Sequence, residues 1–291
     1  QFLLKKHKVI IFDKFYFPWI LKNKKKIKNI KNLSIIKKNI SNVKMKDFNN
    51  VDIVCDLNGI SNDPSSELNP KHTWKLNYND RLNFAKLAKK AKVSRYIFNS
   101  TCSVYGFNKK KVFENTVKKP ISTYAKANLK AEKHIYKLKN KNFKVNSLRN
   151  STLYGFSNSM RLDLVINIFV LNIIKKKKII IDGDGKQYRP FISVNDICKI
   201  YEYLISKSNL PSFICNVVAF NSTIRKIALK ICKILKVSKT NVKFNPSYSD
   251  RRNYNVGSQN FKKYFGNNFR FSNFDYEVKN LKNNLKKNNI T

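Results

Sequence analysis

Ser100–Glu132 reads STCSVYGFNKKKVFENTVKKPISTYAKANLKAE, and its reading decides the fold. The stretch begins just after Arg95–Phe98 (RYIF), a short aromatic and β-branched run of the kind that makes a buried strand. Thr101 therefore leaves the carboxyl end of a strand, and Tyr124 opens a segment with helical character that runs to Leu138. In an α/β sheet, a hydroxyl at a strand end and a tyrosine at a helix start can reach one point above the carboxyl edge. There a tyrosinate can take a proton from a substrate hydroxyl while the threonine holds the same oxygen. A tyrosine with its ordinary pKa of about 10 is a weak base near neutral pH, so such sites usually add a cation to lower it. The residue one helical turn on, sharing the face of Tyr124, is Asn128; Lys126 and Lys130 point elsewhere.

Outward from this stretch, short apolar runs alternate with longer helical patterns, which predicts parallel strands joined by crossover helices. Val9–Phe12 (VIIF) reads as a strand closing on Asp13, Val51–Leu57 (VDIVCDL) as a second, RYIF as a third and Val145–Leu148 as a fourth. Between the first two lies Lys22–Asn50, a lysine- and asparagine-rich connection with little periodicity. Leu76–Ala91 carries apolar residues at helical spacing (Leu76, Leu82, Phe84, Leu87, Ala88). Beyond residue 150 the spacing predicts helices over Arg161–Ile174, Asn195–Ser206 and Ile224–Leu235, with strands at Ile179–Ile181 and Phe213–Val218. Asp182-Gly183-Asp184-Gly185 reads as a turn, and the polar tail after Asn267 as a segment that frays. The expectation is an α/β chain with a doubly wound, Rossmann-like parallel sheet and a smaller C-terminal substrate lobe. Residues 1–150 form the nucleotide-binding domain; residues 151–291 form mainly the lobe, with some segments returning to the sheet.

Composition narrows the function classes. With 42% hydrophobic residues, 21 Phe and 14 Tyr, the chain is too aromatic for a disordered protein. No apolar run reaches the ~20 residues that a membrane-spanning helix requires, and we expect a cytoplasmic protein without a membrane partner. Five dispersed cysteines and three histidines form no CxxC pair and no metal-ligand spacing, so no metal is expected. The net charge of +43 raises the question of a nucleic-acid partner. Its lysines, however, are spread through every segment, and no helix-turn-helix, zinc finger or aromatic-basic RNA motif concentrates them. Specific nucleic-acid binding is therefore not expected.

STCSVYG followed by TYAKANLKAE resembles the S-S/T-x-x-VYG and Y-x-x-x-K segments of the extended short-chain dehydrogenases, the NAD-dependent epimerase/dehydratase family. VDIVCDLNGISNDP, NPKHTWKLNYNDRLNFAKLAKKAKVSRYIF, LRNSTLYG, IIIDGDGKQYRPFISVNDI and SDRRNYNVGSQNFKKYFG resemble further family segments, in order from residue 3 to 266. Within that family, nucleotide-sugar epimerases similar to UDP-glucose 4-epimerase are the nearest in pattern. The resemblance implies NAD as cofactor, a nucleotide sugar (a UDP-sugar foremost) as substrate, and a homodimer as a common assembly. It implies Tyr124 as base, Thr101 as hydroxyl partner and Asn128 at the lysine's position. Asp13 would meet the adenosine ribose, with Asn58, Gly59 and Asn77 along the cofactor. Thr152, Arg189 and, more weakly, Arg252 would meet the substrate. Rival roles are structural: Asp13 as a strand-ending turn residue, Arg189 as one more exposed cation, Tyr124 as an ordinary helix-start residue and Thr101 as a plain strand-end threonine; Tyr105 and Tyr154 read as packing residues.

Two departures qualify the resemblance. The family's G-x-x-G-x-x-G phosphate loop has no counterpart here, and the expectation is an N-terminal truncation that removed the first strand and this loop. Asn128 carries no charge. If the motif's lysine lowers the tyrosine pKa by ~2 to 3, its absence costs ~3 to 4 kcal/mol of base ionisation at neutral pH. The expected function is transient oxidation of a sugar hydroxyl by an NAD-dependent nucleotide-sugar epimerase or dehydratase. The rivals are a catalytically weakened relative that binds sugar nucleotide or a partner, and a basic nucleic-acid binder.

Overall fold

The computed structural model describes residues 3–16, 30–247 and 252–290. In chain order the first half holds β1 (Val9–Asp13), β2 (Leu33–Lys37), β3 (Ile53–Asp56), α1 (Asp63–Leu68), α2 (Pro70–Trp74), α3 (Arg81–Lys90), β4 (Arg95–Thr101), α4 (Thr123–Lys137) and β5 (Lys144–Asn150). There follow β6 (Thr152–Tyr154), α5 (Val165–Ile174), β7 (Ile179–Asp182), β8 (Tyr188–Ser193), α6 (Val194–Ser206), β9 (Phe213–Val217) and β10 (Phe220–Thr223). The chain closes with α7 (Ile224–Ile234), β11 (Val242–Asn245), α8 (Phe261–Phe265) and α9 (Phe274–Lys287). Among the described residues no helix is long and apolar enough to cross a membrane.

Contacts divide the chain into two interleaved compact units. The first comprises Gln1–Ser100, Ser122–Leu148 and Tyr201–Ile214; the second comprises Thr101–Ile121, Arg149–Ile200 and Cys215–Thr291. The main sheet has the order β3-β4-β5-β9. β3 and β4 run parallel, with Ile53 opposite Arg95 and Asp56 opposite Phe98. β4 is buried at almost every position, as a strand covered on both faces must be. The first unit's core gathers Val54, Phe84, Ala88, Tyr96, Phe98, Ala131, Ile135 and Phe143.

β1 pairs in parallel with β2, from Val9 opposite Leu33 to Asp13 opposite Lys37. β2 corrects the reading of Lys22–Asn50 as a plain connection: its LSIIK core is too short, and too crowded by lysine and asparagine, to show a period. Residues 22–29 of that connection lie outside the described residues, as do 249–251 at the start of SDRRNYNVGSQNFKKYFG.

In the second unit a three-stranded sheet has the order β10-β8-β6 and a parallel pair joins β11 to β7. Helices α5, α7 and α9 pack on one another around Ile166, Phe169, Ile227, Ile231, Val278 and Leu281. The tail is therefore not frayed, contrary to its polar composition. Phe274, Val278, Leu281 and Leu285 recur at helical spacing and are buried, while most polar residues between them are exposed; Glu277 is the exception, buried and accepting from Asn195 Nδ2. Asn273 caps the helix by accepting from the Tyr276 N–H, and acidic residues open it while lysines close it, which suits the helix dipole.

Candidate active site

Each unit carries part of the expected site. The first holds Asp13, Asn58, Gly59, Asn77, Tyr124 and Asn128; the second holds Thr101, Thr152, Arg189 and Arg252.

In the first unit, Tyr124 is half-buried in the opening turn of α4. Ser122 caps that turn by accepting from Ala125 N, 3.2 Å away. Helix α1 supplies the remaining partners. The Thr123 N–H and hydroxyl donate to Glu67 at 2.7 and 3.0 Å, and the Tyr124 N–H donates to Ser66 Oγ at 3.1 Å. Ser122 Oγ donates in addition to Asp63. Two carboxylates thus sit at a helix N-terminus, where backbone N–H groups lack intrahelical acceptors and the dipole favours negative charge. The Thr123 N–H bond holds the Glu67 carboxyl below its ordinary value.

Asn128 lies one turn deeper and is only 2% exposed. Its Nδ2 donates to the Tyr124 carbonyl at 2.8 Å and its Oδ1 accepts from Arg81 Nη1 at 2.8 Å. Arg81 is itself 1% exposed. Its Nε donates to Asp56 Oδ2 at 2.8 Å and its Nη2 to the carbonyl oxygens of Asn99 (3.0 Å) and Asp56 (3.3 Å). The guanidinium also lies 4.0 Å from the centre of the Phe98 ring. Tyr96 donates its hydroxyl to the same Asp56 oxygen at 2.8 Å; burial first, then that carboxylate, pushes the phenol far above its ordinary pKa. Arg81 follows a π-helical turn, Lys75–Asp80. Such a turn shifts the helical register, and local insertions of this kind often mark functional sites.

The loop after β3 is tied to the same group. Asn58 N–H donates to Asp56 Oδ1 at 3.1 Å. Asn77 clamps Ile60 from both sides, accepting from its N–H at 2.8 Å and donating to its carbonyl at 2.9 Å. Gly59 sits between them at φ +129°, and a Cβ there would lie 2.9 Å from Asn77 Oδ1, so only glycine fits. Asp13, exposed at the end of β1, accepts from Phe15 N–H at 2.6 Å. A carboxylate ending β1 and a tight glycine turn after β3 fit the adenosine ribose and the close backbone approach of a dinucleotide.

In the second unit, Thr101 is 6% exposed. Its Oγ1 accepts from Ser103 N–H at 3.1 Å, capping the 3-10 turn Cys102–Tyr105, a contact that leaves the O–H as donor. Gly106 closes the turn at φ +61°; a Cβ there would meet Lys119 O at 1.9 Å. Tyr105 is buried against Arg149 and Asn216 and its pKa is raised by burial, so it is a packing and network residue. Arg189, 5% exposed on β8, donates to the carbonyl oxygens of Tyr188 (2.8 Å) and Arg252 (2.7 Å) and lies 5.1 Å from the Tyr254 ring centre. These contacts join Arg189 to the backbone of Arg252. Thr152 opens β6, in register with Phe191 of β8.

Sequence reasoning missed Arg81, Asp56, Ser66 and Glu67. Arg81 had a signal: it shares the buried stripe of α3 with Phe84, Ala85 and Ala88, where an arginine must be paired. Asp56 likewise interrupts an apolar strand. Ser66 and Glu67 gave none, because their partners lie 58 and 56 residues away.

Comparison with known proteins adds two kinds of likeness. The sequence model described as the NAD dependent epimerase/dehydratase family matches residues 1–217. The uncharacterized UDP-glucose epimerase YtcB of Bacillus subtilis (strain 168) is 29% identical over 242 residues, covering 80% of this chain and 74% of that protein. A putative UDP-glucose 4-epimerase of Methanocaldococcus jannaschii is 31% identical over 157 residues, covering 52% of this chain and 51% of the relative. Among solved structures, a UDP-N-acetylglucosamine 4-epimerase from Methanobrevibacter ruminantium M1, in complex with UDP-N-acetylmuramic acid, superposes with a TM-score of 0.84 at 22% identity. The superposition covers 98% of this chain and 93% of that one. MoeE5 in complex with UDP-glucose and NAD gives 0.80 at 16% identity, with coverage of 97% and 99%. At such identities the structural likeness is one of fold.

Proposed function

Because the chain belongs to the NAD-dependent epimerase/dehydratase family, we propose that it acts on a nucleotide sugar, a UDP-sugar foremost, by transient oxidation of a sugar hydroxyl. The single observation that carries this reading is the placement of Tyr124. It stands in the capped first turn of α4, fixed there by α1 and held one turn below by Asn128. A base at a helix start whose backbone is bonded on both sides keeps its orientation through proton transfer.

In this reading Tyr124 takes the proton from the sugar hydroxyl and later returns it. Thr101 donates its O–H to a substrate oxygen. NAD, when bound, supplies the hydride acceptor for the oxidation and the donor for the return. Asp13 would hold the adenosine ribose and favour NAD over NADP, because a carboxylate repels a 2′-phosphate. Asn58 and Gly59 would lie along the cofactor, with Asn77 fixing their loop. Arg189 would meet the substrate diphosphate, with Thr152 and Arg252 beside the sugar nucleotide. The reading also includes a homodimer, which the mass in solution tests.

Asn128 favours a second reading, a weakened relative that binds sugar nucleotide but turns it over slowly. Both ends of its amide are engaged within the first unit, and an amide brings no positive charge to Tyr124. One experiment separates the two. The full-length protein is freed of small molecules, loaded with NAD and mixed with UDP-glucose or UDP-N-acetylglucosamine. The proposed function predicts retained dinucleotide and a change in nicotinamide absorbance on adding the sugar. Tight binding of both without an absorbance change supports the weakened relative, and a complete protein that binds no dinucleotide contradicts both.

A further inference from the structure

Arg81, Asp56 and Asn128 are each at most 2% exposed and make up one bonded group. Within this group the charges are one guanidinium and one carboxylate; Tyr96 adds a neutral hydroxyl to the carboxylate, and Asn58 a backbone N–H. The Y-x-x-x-K pattern would place a cation on α4 at position 128. Here the cation comes from α3 instead and reaches Asn128 Oδ1 at 2.8 Å. The guanidinium is shaped for this role, because its planar fork serves Asp56, Asn99 and Asn128 at once while one face rests on Phe98. Asn128 relays the contact by donating to the Tyr124 carbonyl.

We propose that Arg81 supplies, from the neighbouring helix, the buried cation of this site, and that it is a positioning residue for Asn128 and the first turn of α4. Its effect on turnover rests on the assignment of Tyr124 as base; the charge pairing does not. The bonded group accommodates one cation and no more. A lysine introduced at position 128 would bury an ammonium against the Arg81 guanidinium, with Asp56 already bonded to it. Restoring the motif by that change alone therefore harms the protein. Restoration requires the cation to move, with position 81 made neutral as position 128 becomes charged.

The test is a double-mutant cycle in the full-length protein with Asn128→Lys, Arg81→Met and the two combined, read by thermal unfolding and by kcat and KM for UDP-glucose. We expect each single change to lower Tm by roughly 10 °C, the size appropriate to an unpaired buried charge in a chain of this length. The combination should regain at least about half of that loss, and kcat should rise about tenfold over either single variant with KM little changed. Additive losses in Tm overturn the proposal. So does a kcat that only follows the folded fraction. Should Arg81→Met fail to fold, Asn128→Met against Asn128→Lys isolates the charge at similar side-chain volume: lysine must lower Tm further than methionine, and equal losses overturn the proposal. Tm is read without turnover, so an inactive protein with coupled Tm values counts against Tyr124 as base and leaves the pairing intact. An active protein with additive losses does the reverse.

Discussion

The buried group around Asp56 in the first unit and the helix cluster around Leu281 in the second are both closed to water, but they cohere by different physics. The second is held chiefly by apolar contacts, with Val278, Leu281 and Leu285 fully buried against Ile166 and Ile231, although its helices also bury the hydrogen-bonded Asn167 and Glu277. Each contact there is non-directional, and the loss of one side chain leaves a cavity that neighbours can partly fill. The first is a set of directed bonds at 2.8 to 3.3 Å between an arginine, a carboxylate, an amide and two carbonyl oxygens. Such a group is costly to leave half-made, because each deletion strands a buried polar atom. The contrast identifies which region sets orientation and which supplies bulk stability: the directed group adjoins the expected cofactor loop and the tyrosine helix.

This contrast can be broken by substitution. Asp56→Asn keeps the shape but leaves Arg81 buried without its carboxylate, so chemical denaturation should show a loss of about 3–5 kcal/mol. Leu281→Ala should cost about 2–4 kcal/mol in the same assay, with little change in dinucleotide affinity. Equal effects of these two changes on NAD binding would erase the distinction between the regions. Asn77→Ala removes both bonds to Ile60 and should cost about 1–3 kcal/mol while weakening NAD binding more than Leu281→Ala does. Ser122→Ala deletes the cap of α4 and should cost about 1 kcal/mol, visible as faster amide exchange in the first turn.

The smallest effect is that of acid on Glu67. Its folded-state pKa lies below the ordinary value of 4.5, chiefly through the Thr123 N–H bond. A depressed carboxyl pKa stabilises the folded state above the unfolded pKa, and that contribution is lost as pH falls through the folded value. The Thr123 amide should therefore exchange faster below pH ~4 than at pH ~6, after correction for intrinsic rates. A Glu67→Gln variant should lose that difference.

The sequence exposed what depends on local spacing and hid what depends on distant partners. Thr101, Tyr124 and the strand before them are legible because a strand end, a turn and a helix start lie in one continuous stretch. The sheet was legible from its buried runs, and β2 was not, because three apolar residues between lysines and asparagines show no period. The helical stripe of α9 was hidden because its polar residues outnumber the four buried apolar ones that define it. Asn128 was seen as the missing lysine, but the cation that meets it comes from 47 residues earlier in the chain. Arg81, one of sixty Lys and Arg residues, is marked in the sequence only by its place on the apolar stripe of α3, and its partners come from distant segments.

The central claim is that Tyr124 is the proton acceptor, and the most direct test is the turnover of Tyr124→Phe in the full-length protein loaded with NAD and given UDP-glucose. Phenylalanine keeps the ring and the helix start and removes only the hydroxyl. We predict kcat lower by about 10²–10⁴-fold, with KM and dinucleotide retention nearly unchanged. Turnover within about twofold of the unsubstituted protein would contradict the account.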